Sequence, residues 1–147
     1  MNKIQEDRRP IEHTSPNRCF GCGLANPGGL HLAFHPAEDR SMVCATEVTD
    51  DFEGHPGYLH GGIIATLLDE AMSKSVHARG VNAMTRHMEI DFLRPVPSGS
   101  ALRIEGRVTR NEGRKHWSEA RILNSHGVVL AQGHGLFIEV PLRREGR

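Results

Sequence analysis

The sequence predicts an α+β domain in which an antiparallel β-sheet covers one long helix. Three observations carry that class. A single stretch, residues 62–79, repeats its apolar residues at helical spacing. Only two strand-like runs precede it. Everything after Gly80 alternates apolar and polar residues between short Gly-containing turns. With 147 residues the chain suits one domain with a modest core.

Residues 1–28 are polar and broken by Pro10, Pro16 and Pro27, which predicts an irregular N-terminal arm. The folded domain is expected over 29–140. Leu30, Leu32 and Phe34 alternate with His31, Ala33 and His35, a strand signature, and a second strand is expected over 42–48. Residues 50–60, DDFEGHPGYLH, hold two glycines and a proline and read as a loop. On the helix, Ile64, Leu67, Leu68, Ala71, Met72 and Ser75 cluster on one broad face at 100° per residue. Glu70 and Lys74, four apart on the polar side, are expected to form an exposed pair. Asp69 falls at the boundary of the apolar face, where partial desolvation is expected.

Four strands should follow. Met88, Ile90 and Phe92 share one side of residues 84–93, and Leu102, Ile104 and Val108 share one side of the next run. Asn111-Glu112-Gly113 turns into residues 115–123, and Ser125-His126-Gly127 turns into 128–140. The last strand carries Gly133 and Gly135, which predicts a central place and close packing on the helix. Residues 141–147 are expected to form a frayed tail. One helix covers only one face of such a sheet, so a partner subunit is expected to cover the other.

Several function classes are excluded by composition. Lys+Arg and Asp+Glu balance at 18 each, against the basic excess expected of a nucleic-acid-binding protein. No apolar run approaches the roughly 20 residues that span a bilayer, and the N-terminus has no signal-peptide apolar region. A cytoplasmic protein is the expectation, with no membrane or nucleic-acid partner. Three cysteines, Cys19, Cys22 and Cys44, fit a reducing compartment.

The stretch HGGIIATLLDE, residues 60–70, carries the chemistry. Two glycines after His60 allow a tight turn and close backbone approach to a ligand. The helix that follows aims unpaired N–H groups, and the positive end of its dipole, at that ligand. An acid two to three turns further in, Asp69, is a candidate base. Oxyanion donors with a nearby carboxylate can hydrolyse an acyl compound without a serine or cysteine nucleophile. Consistently, the chain has no G-x-S-x-G elbow, and Gly21-x-Gly23 lacks the third glycine of a dinucleotide fingerprint. Cys19-x-x-Cys22 invites a metal reading. A zinc site needs four ligands, however, and only Cys44 remains as a third thiol, so no metal is expected.

Four features together resemble the hotdog-fold acyl-CoA thioesterases of the PaaI and THEM4-like type. These are HGG at residues 60–62, Asp69 nine residues after His60, the run TRHMEIDFLRP at 85–95, and the glycine-containing AQGHGLF near the end. The lead-in CFGCGLANPGGL is similar to the N-terminal segment of many such proteins, and the resemblance covers nearly everything after Cys19. It implies a hotdog fold, an antiparallel sheet wrapped around one long central helix. It implies hydrolysis of a thioester to a carboxylic acid and CoA, with no cofactor, since CoA belongs to the substrate. Asp69 matches the acid that activates water or attacks the thioester. Gly61 matches the glycine whose N–H polarises the carbonyl, His60 the histidine that shapes the turn, and Thr85 the residue that positions the acid or water.

The resemblance also implies an obligate homodimer with shared sites, with a dimer of dimers as the larger assembly. Gly62 belongs to the expected substrate site. Arg86, Arg94, Arg110, Arg114 and Lys115 are candidates for the CoA phosphates, and Phe52, Tyr58 and Met72 for the acyl pocket. One departure stands out: several thioesterases of this type carry asparagine six residues before the histidine, where this chain has Gly54. Two alternatives stay open. One is a hotdog hydratase or dehydratase, suggested by His55-Pro56-Gly57; the other is a non-catalytic acyl-CoA-binding module.

Overall fold

The computed structural model describes residues 16–141. Six strands form one wholly antiparallel sheet: β1 (His35–Pro36), β2 (Met42–Glu47), β3 (Ala83–Phe92), β4 (Ala101–Glu112), β5 (Lys115–Asn124) and β6 (Val129–Glu139), in spatial order β1-β2-β4-β5-β6-β3. The one α-helix among the described residues, α1 (Gly61–His77), lies across one face of this sheet. This is the arrangement that the hotdog resemblance implied.

The helix forms where its apolar spacing required. Ile64, Leu67, Leu68, Ala71, Met72, Ser75 and Val76 are buried. They meet Met42 and Cys44 from β2, Leu102 and Ile104 from β4, Ala120 and Ile122 from β5, and Ala131 and Phe137 from β6. The buried Ser75 hydroxyl is satisfied by the Met72 carbonyl at 2.6 Å and by Ser118 Oγ at 2.7 Å. Closest approach falls at Gly106 of β4, where a Cβ would stand 2.2 Å from the Ala71 carbonyl oxygen. Gly133 and Gly135 serve the same contact on β6, facing Leu68 and Met72. The last strand is therefore internal, between β5 and β3, and packs on the helix as expected.

Three expectations are corrected. The alternation over residues 30–35 buries Leu32 and Phe34, but ladder pairing begins only at His35. The amides of Leu30 and Leu32 donate instead to Phe20 and Gly21, and His31 has φ 51°, which breaks the extended run. Glu70 and Lys74 do not form an exposed surface pair, because the N-terminal segment covers them and Lys74 is only 6% exposed. Nor does the far face of the sheet call for a cover. It carries self-paired charges: Glu105 accepts from Arg103 and Arg121, and Arg107 donates to Glu119. Burial alone would raise the Glu105 carboxyl, but the two guanidinium groups outweigh it and hold the group below its ordinary value.

Residues 16–28, expected to be an arm, form a compact loop on α1 that is tied by Gly23 N–H to Cys19 O and Ala25 N–H to Asn17 O. The rest of the expected arm, residues 1–15, lies outside the described residues, as does the expected tail beyond 141. No described helix is long and apolar enough to cross a membrane.

Candidate active site

The loop before α1 places the His-Gly-Gly corner. The His60 amide donates to the Phe52 carbonyl and the Leu59 amide to the Val96 carbonyl. This fixes the chain's entry into the helix. His60 is the N-cap residue: its Nδ1 accepts the Gly62 N–H at 2.9 Å. With Nδ1 accepting, the ring proton sits on Nε2, so this histidine orients the turn and presents a donor. The Gly62 N–H is thereby used within the chain. The Gly61 N–H, at the positive end of the helix, has no hydrogen-bond partner among the described residues, and Gly61 is exposed. Phe92, at the end of β3, stands beside it: a Cβ on Gly61 would lie 3.7 Å from the ring.

Gly54 packs against the same corner. A Cβ there would stand 3.2 Å from the His60 Cα, so a side chain at this place has little room. His55 is exposed in the same loop, which turns at Gly57 with φ 88°.

Asp69 is half-buried on α1, and Thr85 Oγ1 donates to its Oδ1 at 2.7 Å. A short hydrogen bond to a carboxylate fixes the rotamer of the acid and leaves its other oxygen for a water or a carbonyl carbon. The acid of this pair is thus held from β3, the open edge strand of the sheet. Arg86 follows Thr85 directly and is exposed.

The remaining expected substrate residues are scattered. Arg94 is exposed near the His-Gly-Gly end of the sheet, its amide on the Leu130 carbonyl. Arg110, Arg114 and Lys115 sit at the β4–β5 hairpin, by the opposite end of α1. There Arg110 pairs with Glu112 and lies 4.3 Å over the Trp117 ring, and Arg114 holds the Glu139 carbonyl. Phe52 is half-buried, edge-on to Phe20 at 6.1 Å, and Tyr58 is 45% exposed. Met72, expected to help close an acyl pocket, is instead wholly buried against Gly135, a core position.

A cluster that sequence reasoning discounted lies on the flank of α1 that bears Glu70. Cys19 Sγ, Cys22 Sγ and a Glu70 carboxylate oxygen all lie within 4.8 Å of one another. Burial first, then the negative charge of Glu70, push the Cys22 thiol up to about 12. Its sulfur is therefore a thiol at neutral pH, which disfavours a nucleophilic role. The missed signal was Glu70, whose four-residue spacing to Lys74 looked like ordinary surface pairing.

A profile of the family described as Thioesterase superfamily matches residues 56–131, more than half of the chain. Acyl-coenzyme A thioesterase THEM4 of Xenopus laevis is 31% identical over 77% of this chain and 51% of its own length. Acyl-coenzyme A thioesterase THEM5 of Mus musculus is 32% identical over 79% of this chain and 47% of its own. The chain thus spans about half the length of these curated relatives. Among solved structures, a thioesterase superfamily protein superposes with TM-score 0.75 at 28% identity, over 79% of this chain and 60% of its own. A Bacillus halodurans protein solved with CoA gives TM-score 0.66 at 26% identity, over 75% and 74%. On the family match, the shared hotdog architecture and the corner built at His60, the chain belongs to the thioesterase superfamily.

Proposed function

We propose that this chain hydrolyses an acyl-CoA thioester to a carboxylic acid and CoA, in sites shared between two copies of the chain. The Asp69–Thr85 pair carries this reading: a half-buried carboxylate, locked by a hydroxyl at 2.7 Å, beside an open sheet edge. Asp69 either deprotonates the attacking water or attacks the thioester carbon itself. In both routes negative charge develops on the carbonyl oxygen, and the Gly61 N–H receives it. A donor of this kind is worth about 3–4 kcal/mol in other oxyanion sites.

Within one chain these two groups cannot grip one carbonyl. They are eight residues apart on a continuous helix, about 12 Å along its axis. Strand β3 resolves the mismatch. It is a ten-residue edge strand whose Met84 and Phe92 are 63% and 55% exposed. A long unpaired edge of this kind, with two large apolar side chains exposed, is a candidate pairing surface. Antiparallel pairing of two such strands about a two-fold axis near Met88 sets Thr85 of one protomer beside the partner's Phe92. Thr85 holds Asp69, and Phe92 flanks Gly61, so the same pairing brings the acid of one chain to the amide of the other. Arg86 and Arg94 border this seam and would meet the CoA phosphates. The relatives' names and the CoA-bound neighbour support this substrate class. A cytoplasmic, reducing location fits three cysteines that are all free.

The test is thiol release by the purified full chain across a panel of short, medium, long and aromatic acyl-CoAs. Asp69→Ala should lower kcat by at least about 100-fold, the usual scale of a lost general base. A wild-type chain that releases thiol no faster than this variant overturns the reading.

A further inference from the structure

We propose that Cys19, Cys22 and Glu70 form a zinc site that staples the N-terminal loop to the central helix. The site is independent of the hydrolytic reading.

The observation is a juxtaposition that spacing along the chain conceals. Cys19 and Cys22 project from one turn of the loop, and Glu70 reaches them from α1, about 50 residues later. The Cys19 Sγ to Glu70 Oε1 distance is 3.5 Å. A tetrahedral zinc with a Zn–S bond of about 2.3 Å and a Zn–O bond of about 2.0 Å has an S···O edge of about 3.5 Å. The two ligands therefore already stand at the separation the metal needs. The remaining separations are all within 4.8 Å, so metal binding requires the side chains to draw together.

The loop around these ligands is built for one conformation. Gly23 is irreplaceable, since a Cβ there would lie 2.3 Å from the Cys19 nitrogen. A Cβ on Gly21 would lie 2.3 Å from the Glu70 Cγ, so the loop backbone and the Glu70 side chain pack directly against each other. Asn17 Oδ1 accepts the Cys19 amide at 2.9 Å, and Leu30 and Leu32 donate to the Phe20 and Gly21 carbonyls. Both cysteines are thus held from before and after.

Charge balance favours the same occupant. Two thiolates and one carboxylate around a dication leave one net negative charge. Lys74 supplies the compensating positive charge: its Nζ lies 3.2 Å from Cys22 Sγ, in a residue 6% exposed. An N–H donor to a ligand sulfur is the outer-shell contact that orients and tunes a metal thiolate. On binding, each thiol releases its proton to solvent and no electron moves. Sulfur-rich, four-coordinate ligation selects zinc over magnesium or calcium, with a water completing the shell.

The full chain, reduced and stripped with a chelator, is titrated with Co²⁺ and then with Zn²⁺. One equivalent of Co²⁺ should raise the sulfur-to-cobalt charge-transfer absorption and the visible bands of a four-coordinate site, and Zn²⁺ should abolish both. Cys19→Ser and Cys22→Ser should each weaken Co²⁺ binding by more than 100-fold, and Glu70→Gln by at least 10-fold, whereas Cys44→Ser retains the wild-type spectrum. Zn²⁺ should also raise the melting temperature of the wild-type chain, and chelator should reverse the rise. Absence of the charge-transfer band in the wild-type protein overturns the proposal without reference to any variant. So does its persistence in the Cys19→Ser/Cys22→Ser double variant, or a Cys19–Cys22 disulfide in protein purified under reducing conditions.

Discussion

Thr85→Val isolates the part of the site that the structure defines most sharply. Valine keeps the β-branched shape and removes only the hydroxyl that donates to Asp69 Oδ1 at 2.7 Å. A hydrogen bond to a charged group contributes about 1.5–3 kcal/mol, and Thr85 is exposed, which sets the low end of that range. If the bond acts by holding the carboxylate in its reactive rotamer, about 1.4 kcal/mol should be lost from the transition state. That loss is a fall in kcat of about tenfold. KM should stay within about twofold, because the hydroxyl is spent on the acid rather than on the acyl-CoA. Thr85→Ser should recover most of the rate. Steady-state thiol release with one fixed acyl-CoA reads all three numbers, and thermal melting checks that the fold is intact. An unchanged kcat in Thr85→Val, or a change confined to KM, refutes the assignment of Thr85 as a positioning residue.

Other expectations follow from the packing and the charges. Gly106→Ala drives a methyl into the Ala71 backbone, 2.2 Å from its carbonyl oxygen, and should cost about 2 kcal/mol or more. A calorimetric Tm within 2 °C of wild type, against an expected fall of about 6 °C, would contradict that contact. Glu105→Gln tests the outer charge network. The folded-state pKa of Glu105 is depressed, so its contribution is present above the unfolded value of 4.5 and fades as pH falls through the folded one. Urea titrations should show a loss of about 1 kcal/mol or less at pH 7, smaller in high salt, and none at strongly acidic pH. An equal loss at both pH values would assign the effect to packing. Met84→Lys places a charge on the exposed edge of β3 and, if the chain pairs there as proposed, should shift sedimentation towards monomer relative to wild type, with activity falling in parallel. An active wild-type monomer near 16.3 kDa would refute the shared site.

Most of the fold was legible because its signals are local. The helical repeat from Ile64 to Ser75 and the alternations after Gly80 each depend on one element's own burial. The His60 cap is local too, closed within three residues, whereas the Asp69–Thr85 contact joins α1 to β3 and was expected only from the family resemblance. What escaped depended on distant chain segments. Leu32 and Phe34 alternate as a strand would, yet their backbone answers to the Phe20–Gly21 turn rather than to a ladder. Glu70 and Lys74 looked solvent-exposed because nothing in their own helix reveals that a cysteine loop covers that flank. Gly106 is one more glycine in a list, until Ala71 is found against it. Met72 shares the helical spacing of pocket and core residues alike, and only Gly135 decides between them.

The two-turn spacing between Gly61 and Asp69 on α1 has one more consequence. If this carboxylate and this amide act on one thioester, as proposed, they do so only when two helices meet. On that reading, catalytic competence is a property of encounter rather than of folding. Turnover per chain should then fall as the enzyme is diluted below the dissociation constant of the proposed pair. Cellular abundance would set the specific rate as well as the amount.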